Sequence, residues 1–229
     1  MKEEVREYYA DLRQAYPTKI RQLVPRYDEM VELIVELLQL GEPRTVLDIG
    51  AGIGNVSAAV LQAFPQARIT VVEPCDEMFA EAARTLSGYP GRATLVNEDI
   101  LDFVPEHRYD SIFSNLVLHN IGPDEKRRLL TDLVGWLEPG GSFIWSDLIR
   151  HPDNRLQNHF IAYRRRVAAE AGCPDAVFEK DSSKEAQLDH PLTVEEALDV
   201  AHQAGFGRAS LAWAHDMFAI LLLKPGESA

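Results

Sequence analysis

The chain has 229 residues, 46% of them hydrophobic and 26% charged, which suits one large α/β domain with a substantial core. Its formal charge of −13 argues against nucleic acid as a partner, since phosphate neutralisation needs a basic face. No run approaches the roughly 20 apolar residues of a membrane span, the charged opening MKEEVREYYADLR lacks the apolar core of a signal peptide, and Cys75 and Cys173 are too few for a disulfide framework or a zinc cage.

From Arg26 to Leu40, apolar residues recur at Tyr27, Met30, Val31, Ile34 and Leu38, one face of a helix that Gly41 and Pro43 stop. Thr45 to Ile49 is a short strand, followed by Gly50-Ala51-Gly52-Ile53-Gly54 and a helix from Asn55 to Phe64. Arg68 to Glu73 is a second strand and Asp76 to Leu86 a second helix of this alternating run; Ala93 to Val96 and Tyr109 to Asn115 are the third and fourth strands. Pro123 opens another helix, Pro139-Gly140-Gly141 ends it in a turn, and Ser142 to Trp145 is the fifth strand. Strands alternating with helices through short turns imply parallel strands with right-handed crossovers.

After Asp147 the pattern changes. Residues 148–192 are polar and helical in tendency, and the Arg164-Arg165-Arg166 triplet reads as a solvated face. Thr193 and Glu196 form a capping box that opens one more helix. Ala209 to Ala214 and Met217 to Lys224 are strand-like, a hairpin that makes an antiparallel edge. The expected fold is a doubly wound, mostly parallel α/β sheet in a single domain spanning 1–229: N-terminal helices over 1–42, a ligand-binding core over 43–147, a helical lid over 148–192, and the final helix and hairpin over 193–229.

The glycine loop sits between a strand and a helix, where glycines allow a tight turn and close approach of backbone to a ligand. Glu73 closes the second strand 19 residues after Gly54, near the offset at which a carboxylate meets ribose hydroxyls. The spacing is G-x-G-x-G rather than the dinucleotide G-x-G-x-x-G, and Asp48 precedes it by two residues. A carboxylate there repels a diphosphate and favours an ammonium or sulfonium.

The ordered segments VLDIGAGIGNVS, VVEPCDEM, VNEDILDF, YDSIFSNLVLHNI and LEPGGSFIWSDL resemble the motif set of class I S-adenosylmethionine-dependent methyltransferases over about residues 44–147. That resemblance implies a seven-stranded Rossmann-like sheet with an antiparallel last strand and S-adenosylmethionine at the carboxyl ends of its strands. It places Gly50, Ala51 and Gly52 under the methionine part of the cofactor, with Asp48 supporting that part. Glu73 takes the ribose beside Pro74, and Asp99 and the Ile100 backbone take the adenine. The implied enzyme transfers a methyl group to a small molecule in the cytoplasm, with no membrane or nucleic-acid partner and with a homodimer left open.

The segments IRQLVPRYDEMVELIVELL and AGFGRASLAWAHDMFAILLLK are similar to the flanks of the carboxy-S-adenosylmethionine synthase family of transfer-RNA modification. On that match Tyr27 and Asn115 also reach the cofactor, although Tyr27 fits ordinary core packing equally well. The arginine that holds the added carboxylate in that family aligns with Val200, which favours the plain cofactor. His119, a few residues past the fourth strand, is the candidate general base if one is used; a packing role reads equally well. Tyr8, Tyr9, Tyr16, Phe160 and Tyr163 are candidate lid residues. A synthase-like enzyme and a non-catalytic cofactor-binding subunit are the alternatives to a methyltransferase.

Overall fold

The computed structural model describes residues 3–12 and 15–226; Met1, Lys2 and Arg13 of the charged opening segment lie outside the described residues. Three helices come first, α1 (Glu3–Leu12), α2 (Tyr16–Leu23) and α3 (Tyr27–Gln39). The alternating core follows as β1 (Thr45–Ile49), α4 (Asn55–Ala63), β2 (Arg68–Val72), α5 (Asp76–Thr85), β3 (Ala93–Val96), β4 (Tyr109–Asn115), α6 (Pro123–Trp136) and β5 (Leu137–Leu148). The chain then runs through α7 (Asn154–Glu170), α8 (Asp175–Leu188), α9 (Val194–Ala204), β6 (Arg208–His215) and β7 (Phe218–Lys224). No helix among the described residues is long and apolar enough to cross a membrane.

All seven strands form one sheet in the order β3-β2-β1-β4-β5-β7-β6. The pairs from β3 through β5 are parallel, and β7 runs antiparallel to both β5 and β6. The doubly wound, mostly parallel sheet is therefore as expected. The fifth strand is longer than the sequence suggests. Leu137 already pairs with Tyr109, and the ladder resumes only at Ser111 with Ser142, so the expected Pro139–Gly141 turn is a bulge inside β5. Antiparallel pairing with β7 then carries the strand on to Leu148.

Two apolar layers cover the two faces of the sheet. Val46, Phe113, Ile144 and Ile220 face α3 and α4 in one, and Leu47, Ile112, Phe143 and Leu221 face α6 and α9 in the other. Alternate residues of each central strand thus enter opposite layers, as burial on both faces requires. Thr193 and Glu196 close the expected capping box at the start of α9, the Thr193 N–H donating to Glu196 Oε2 at 2.8 Å and the Glu196 N–H to Thr193 Oγ1 at 3.2 Å. Val200 lies in the apolar layer between α9 and the sheet.

The polar stretch over 148–192 is α7 and α8, and here the arginine reading needs correction. Arg164 is buried, not solvated. Its guanidinium forks onto Glu185 at 2.9 and 3.0 Å and lies over the Phe218 ring. Helical spacing sends only one of three consecutive arginines inward, and only the packing of α7 on β7 and α8 decides which one.

Candidate functional site

Asp48 shares a side of β1 with Val46, toward α4, and the Ser57 hydroxyl on α4 donates to its Oδ2 at 2.5 Å. Burial pushes the Asp48 carboxyl up to about 7, Ser57 pulls it down, and neighbouring Glu73 adds to the rise. Past β1 the chain turns through Gly50 (φ 67°) and Gly52 (φ 57°), both in the left-handed region that favours glycine. A β-carbon on Gly50 would come within 2.6 Å of the Val117 side chain, whereas one on Gly52 would meet nothing within 4 Å and project into open space.

Glu73 stands just beyond β2 with its carboxylate folded back onto the loop. Its Oε2 accepts the Gly52 N–H and its Oε1 the Cys75 N–H, each at 2.8 Å. Burial pushes Glu73 up to about 7 as well, against the pull of those two N–H groups and of Arg6. On the adenine side of the expected site, Asp99 Oδ1 accepts the Leu101 N–H at 3.1 Å, and Arg6 on α1 approaches Oδ2 at 4.0 Å.

These groups line one continuous cleft along the carboxyl ends of the strands. Its first part is bounded by Gly50, Pro74, Asp99, Ile100, Val117 and Asn120, and its second by Tyr27, Asp48, Ala51, Gly52, Glu73 and Asn115. All ten residues expected at the cofactor lie on this cleft. Asn55 on α4 and Tyr9 and Tyr16 of the N-terminal helices line it too. The Asn115 Oδ1 is buried and accepts no hydrogen bond. Two buried carboxylates and an unsatisfied carbonyl oxygen present acceptors and negative charge, and among the described residues no lysine or arginine lines either part. This surface fits a ligand with hydroxyl donors and a cationic end, and disfavours a diphosphate.

A second cavity adjoins the first through Tyr9, Tyr16 and Leu116. Leu116 ends β4 in the left-handed region at φ 61°, a conformation costly for a bulky side chain. His119 lines this second cavity rather than the first. Its Nδ1 lies 2.5 Å from Asp147 Oδ1, and Asp147 Oδ2 accepts the Trp145 indole N–H at 2.9 Å. Burial works to raise the Asp147 carboxyl, but His119, Lys126 and Trp145 outweigh it and hold it below the usual carboxylate range.

The tautomer of His119 follows from its neighbours. The Lys184 ammonium, which can only donate, bonds to Asn120 Oδ1. That orientation turns Asn120 Nδ2 toward His119 Nε2 at 3.2 Å and the Val117 carbonyl at 3.1 Å. Nε2 therefore accepts, and the ring proton sits on Nδ1 against Asp147. This is the arrangement in which an imidazole can take a proton through Nε2.

Of the expected lid tyrosines, Tyr8, Tyr9 and Tyr16 line the second cavity. Phe160 instead stacks on His151, and Tyr163 meets the His215 ring edge-on; neither lines the cavity. Sequence reasoning missed Asp147, Asp189, Asn120 and Lys184. Only Asn120 stood beside a residue already singled out; the others are ordinary polar positions until the chain folds.

Residues 46–141 match the family model described as a methyltransferase domain. The trans-aconitate 2-methyltransferase of Rhodopseudomonas palustris (strain BisB18) is 32% identical over 127 residues, covering 56% of this chain and 46% of that protein. The malonyl-[acyl-carrier protein] O-methyltransferase of Halalkalibacterium halodurans is 33% identical over 122 residues, covering 52% of this chain and 43% of that protein. Each match thus spans less than half of the curated relative. The crystal structure of human N-acetylserotonin methyltransferase superposes with a TM-score of 0.69 at 16% identity, covering 96% of this chain and 56% of that one. Residues 46–141 are thus similar in sequence to a methyltransferase domain, and the segments before and after them complete a fold shared with a solved methyltransferase structure.

Proposed function

We propose that this protein is an S-adenosylmethionine-dependent methyltransferase acting on a small molecule. The observation that carries the reading is the cleft itself: open backbone at Gly52, acceptors at Asp48, Glu73 and Asn115, and no lysine or arginine among the described residues of its lining. The human N-acetylserotonin enzyme was solved in complex with SAM, which supports the same ligand here. Gly50, Ala51 and Gly52 pass beneath the methionine part, with Asp48, Tyr27 and Asn115 around its cationic end. Glu73 receives the ribose hydroxyls beside Pro74, and Asp99 and the Ile100 backbone meet the adenine.

When bound, the cofactor supplies an already activated methyl group. The protein's work is then alignment and exclusion of water. Tyr9 and Tyr16, at the junction of the two cavities, separate the reacting centre from solvent. His119 Nε2 takes the proton of the acceptor, with Asp147 holding the ring and stabilising the imidazolium that forms. The net charge of −13 supports an acceptor other than nucleic acid, and two buried free thiols are in keeping with a reducing, cytoplasmic setting.

The synthase-like reading has less support. A carboxylated cofactor needs an unpaired cation near the transferable carbon. Val200 sits in the apolar layer behind the sheet, and Arg164 and Lys184 of the second cavity already face carboxylates. Calorimetry with S-adenosylmethionine, its demethylated product S-adenosylhomocysteine, and NAD tests the proposal. Binding of the first two and no heat with NAD is expected; micromolar binding of NAD overturns it.

A further inference from the structure

The second cavity is walled by Tyr8, Tyr9, Tyr16, Leu23, Leu148 and Phe218, a surface for a flat or apolar body. Its polar groups are nearly all engaged with one another. Arg164 forks onto Glu185 and lies 3.6 Å from Asp181, whose Oδ1 also receives the Tyr8 hydroxyl at 2.5 Å. The Lys184 ammonium is 2.7 Å from Asp189 Oδ1 and stacks over the Tyr8 and Tyr9 rings. Lys19 bonds to the Gln22 amide. Among the described residues the lining holds three cations, Lys19, Arg164 and Lys184, and three carboxylates, Asp181, Glu185 and Asp189. Asp147, behind His119, tips the balance negative. A carboxylate reaching Arg164 or Lys184 would have to displace an existing partner, at the cost of leaving that partner buried and unpaired. One reaching Lys19, which is held by a neutral amide, would enter a lining whose balance is already negative.

Two acceptors face a ligand here: Asp189 Oδ2, and His119 Nε2 once the Asn120 amide, its present donor at 3.2 Å, gives way to a ligand hydroxyl. Asp189 Oδ2 is on a side chain with no exposed surface and accepts no hydrogen bond. It faces His119 Nε2 across 3.8 Å, too far for a direct bond. The residue is held there by the backbone: the His190 N–H donates to the His119 carbonyl at 2.6 Å, and Lys126 Nζ donates to the His190 carbonyl at 2.6 Å. Two hydroxyls on adjacent carbons lie at a comparable separation and can donate one hydrogen bond to each acceptor.

We infer that the acceptor is an uncharged molecule offering two adjacent hydrogen-bond donors, a vicinal diol of the catechol kind, held between His119 Nε2 and Asp189 Oδ2, and that the cavity rejects carboxylate acceptors. The inference rests on the methyl-transfer reading. The hydroxyl facing His119 loses its proton to Nε2, its oxygen lone pair forms the new O–C bond, and the electron pair of the broken S–C bond stays on sulfur, which becomes a neutral thioether. The hydroxyl facing Asp189 keeps its proton and sets the register.

The test is calorimetric and needs no turnover. S-adenosylhomocysteine is titrated first; its failure to bind counts against the methyltransferase reading itself, not against this inference alone. With it bound, catechol, phenol and benzoate are compared. Catechol should bind about tenfold more tightly than phenol, the worth of one hydrogen bond to a charged acceptor, and benzoate should bind no better than phenol. Asp189→Asn should bring catechol down to the level of phenol and leave phenol unchanged. If that variant does not fold, the order of the three probes on the parent decides. Benzoate binding as tightly as catechol, catechol and phenol binding equally, an undiminished catechol preference in Asp189→Asn, or no binding of any probe at 10 mM (roughly the weakest useful fragment affinity) would each overturn the inference.

Discussion

The two halves of the site are built on opposite plans. The proposed cofactor cleft is assembled from loops that follow parallel strands, and its contacts are largely backbone N–H groups on carboxylates: Gly52 N–H on Glu73, Cys75 N–H on Glu73, Leu101 N–H on Asp99. The second cavity, proposed to take the acceptor, draws side chains from distant parts of the chain, so that Tyr8 meets Asp181 across 173 positions and Lys184 meets Asn120 across 64. Among the described residues no lysine or arginine lines the first, whereas in the second Arg164 and Lys184 are paired with carboxylates. A sheet edge can present the same N–H and carboxylate pattern to one constant ligand, whereas helices added at either end of the core can be refitted to different acceptors without disturbing it.

The largest effect expected from breaking one half alone is at Gly52. Gly52→Val fills the open space beside the loop and should abolish binding of S-adenosylhomocysteine in calorimetry. The strain of a β-branched residue at φ 57° costs about 1–2 kcal/mol, so melting followed by circular dichroism should show a folded protein shifted by several degrees. Retained cofactor binding in a folded variant would mean that the loop does not cradle the ligand.

His119→Gln addresses the other half and should lower kcat roughly 10²–10⁴-fold while leaving the affinity for S-adenosylhomocysteine within about twofold of the parent, a small ΔG change. In the parent, nitrogen-15 NMR should find the His119 proton on Nδ1. A proton on Nε2 instead would contradict the chain of donors running from Lys184 through Asn120.

The smallest effect sharpens the comparison electrostatically. Asp48 and Glu73 are each pushed up to about 7 in the free protein, and a ligand with a cationic end and hydroxyl donors favours their ionised forms. Cofactor affinity should therefore be several-fold weaker at about pH 6 than at about pH 8, with proton release on binding measured in buffers of different ionisation heat. The same two groups bind more protons in the folded chain than in the unfolded one between about pH 4 and 7. They favour the free fold at the acid end of that window, and this contribution is lost as pH rises through about 7. Affinity flat across the range would place the cationic end away from both carboxylates.

The sequence by itself determined the alternating core, because hydrophobic periodicity, glycine turns and caps are local properties: β1, β3 and β4 begin and end where their apolar runs do, and Thr193 and Glu196 cap α9 as their spacing requires. It also brought nine of the ten expected residues to one cleft, since they lie at or shortly past the carboxyl ends of β1, β2, β3 and β4 and parallel strands end on the same side, while Tyr27 reaches the cleft from α3. Tertiary structure alone decided the rest. Leu137 joined β5 only because Tyr109 was there to pair with it. Arg164 was buried, not solvated, because Glu185 and Phe218 waited on other elements. His119 was oriented by Asp147 at Nδ1 and, at Nε2, by an Asn120 amide that Lys184 turns, contacts that its own neighbourhood in sequence could not assign. Local pattern specifies how a segment turns and which face it hides; the partner of a buried charge depends on which distant segments pack against it.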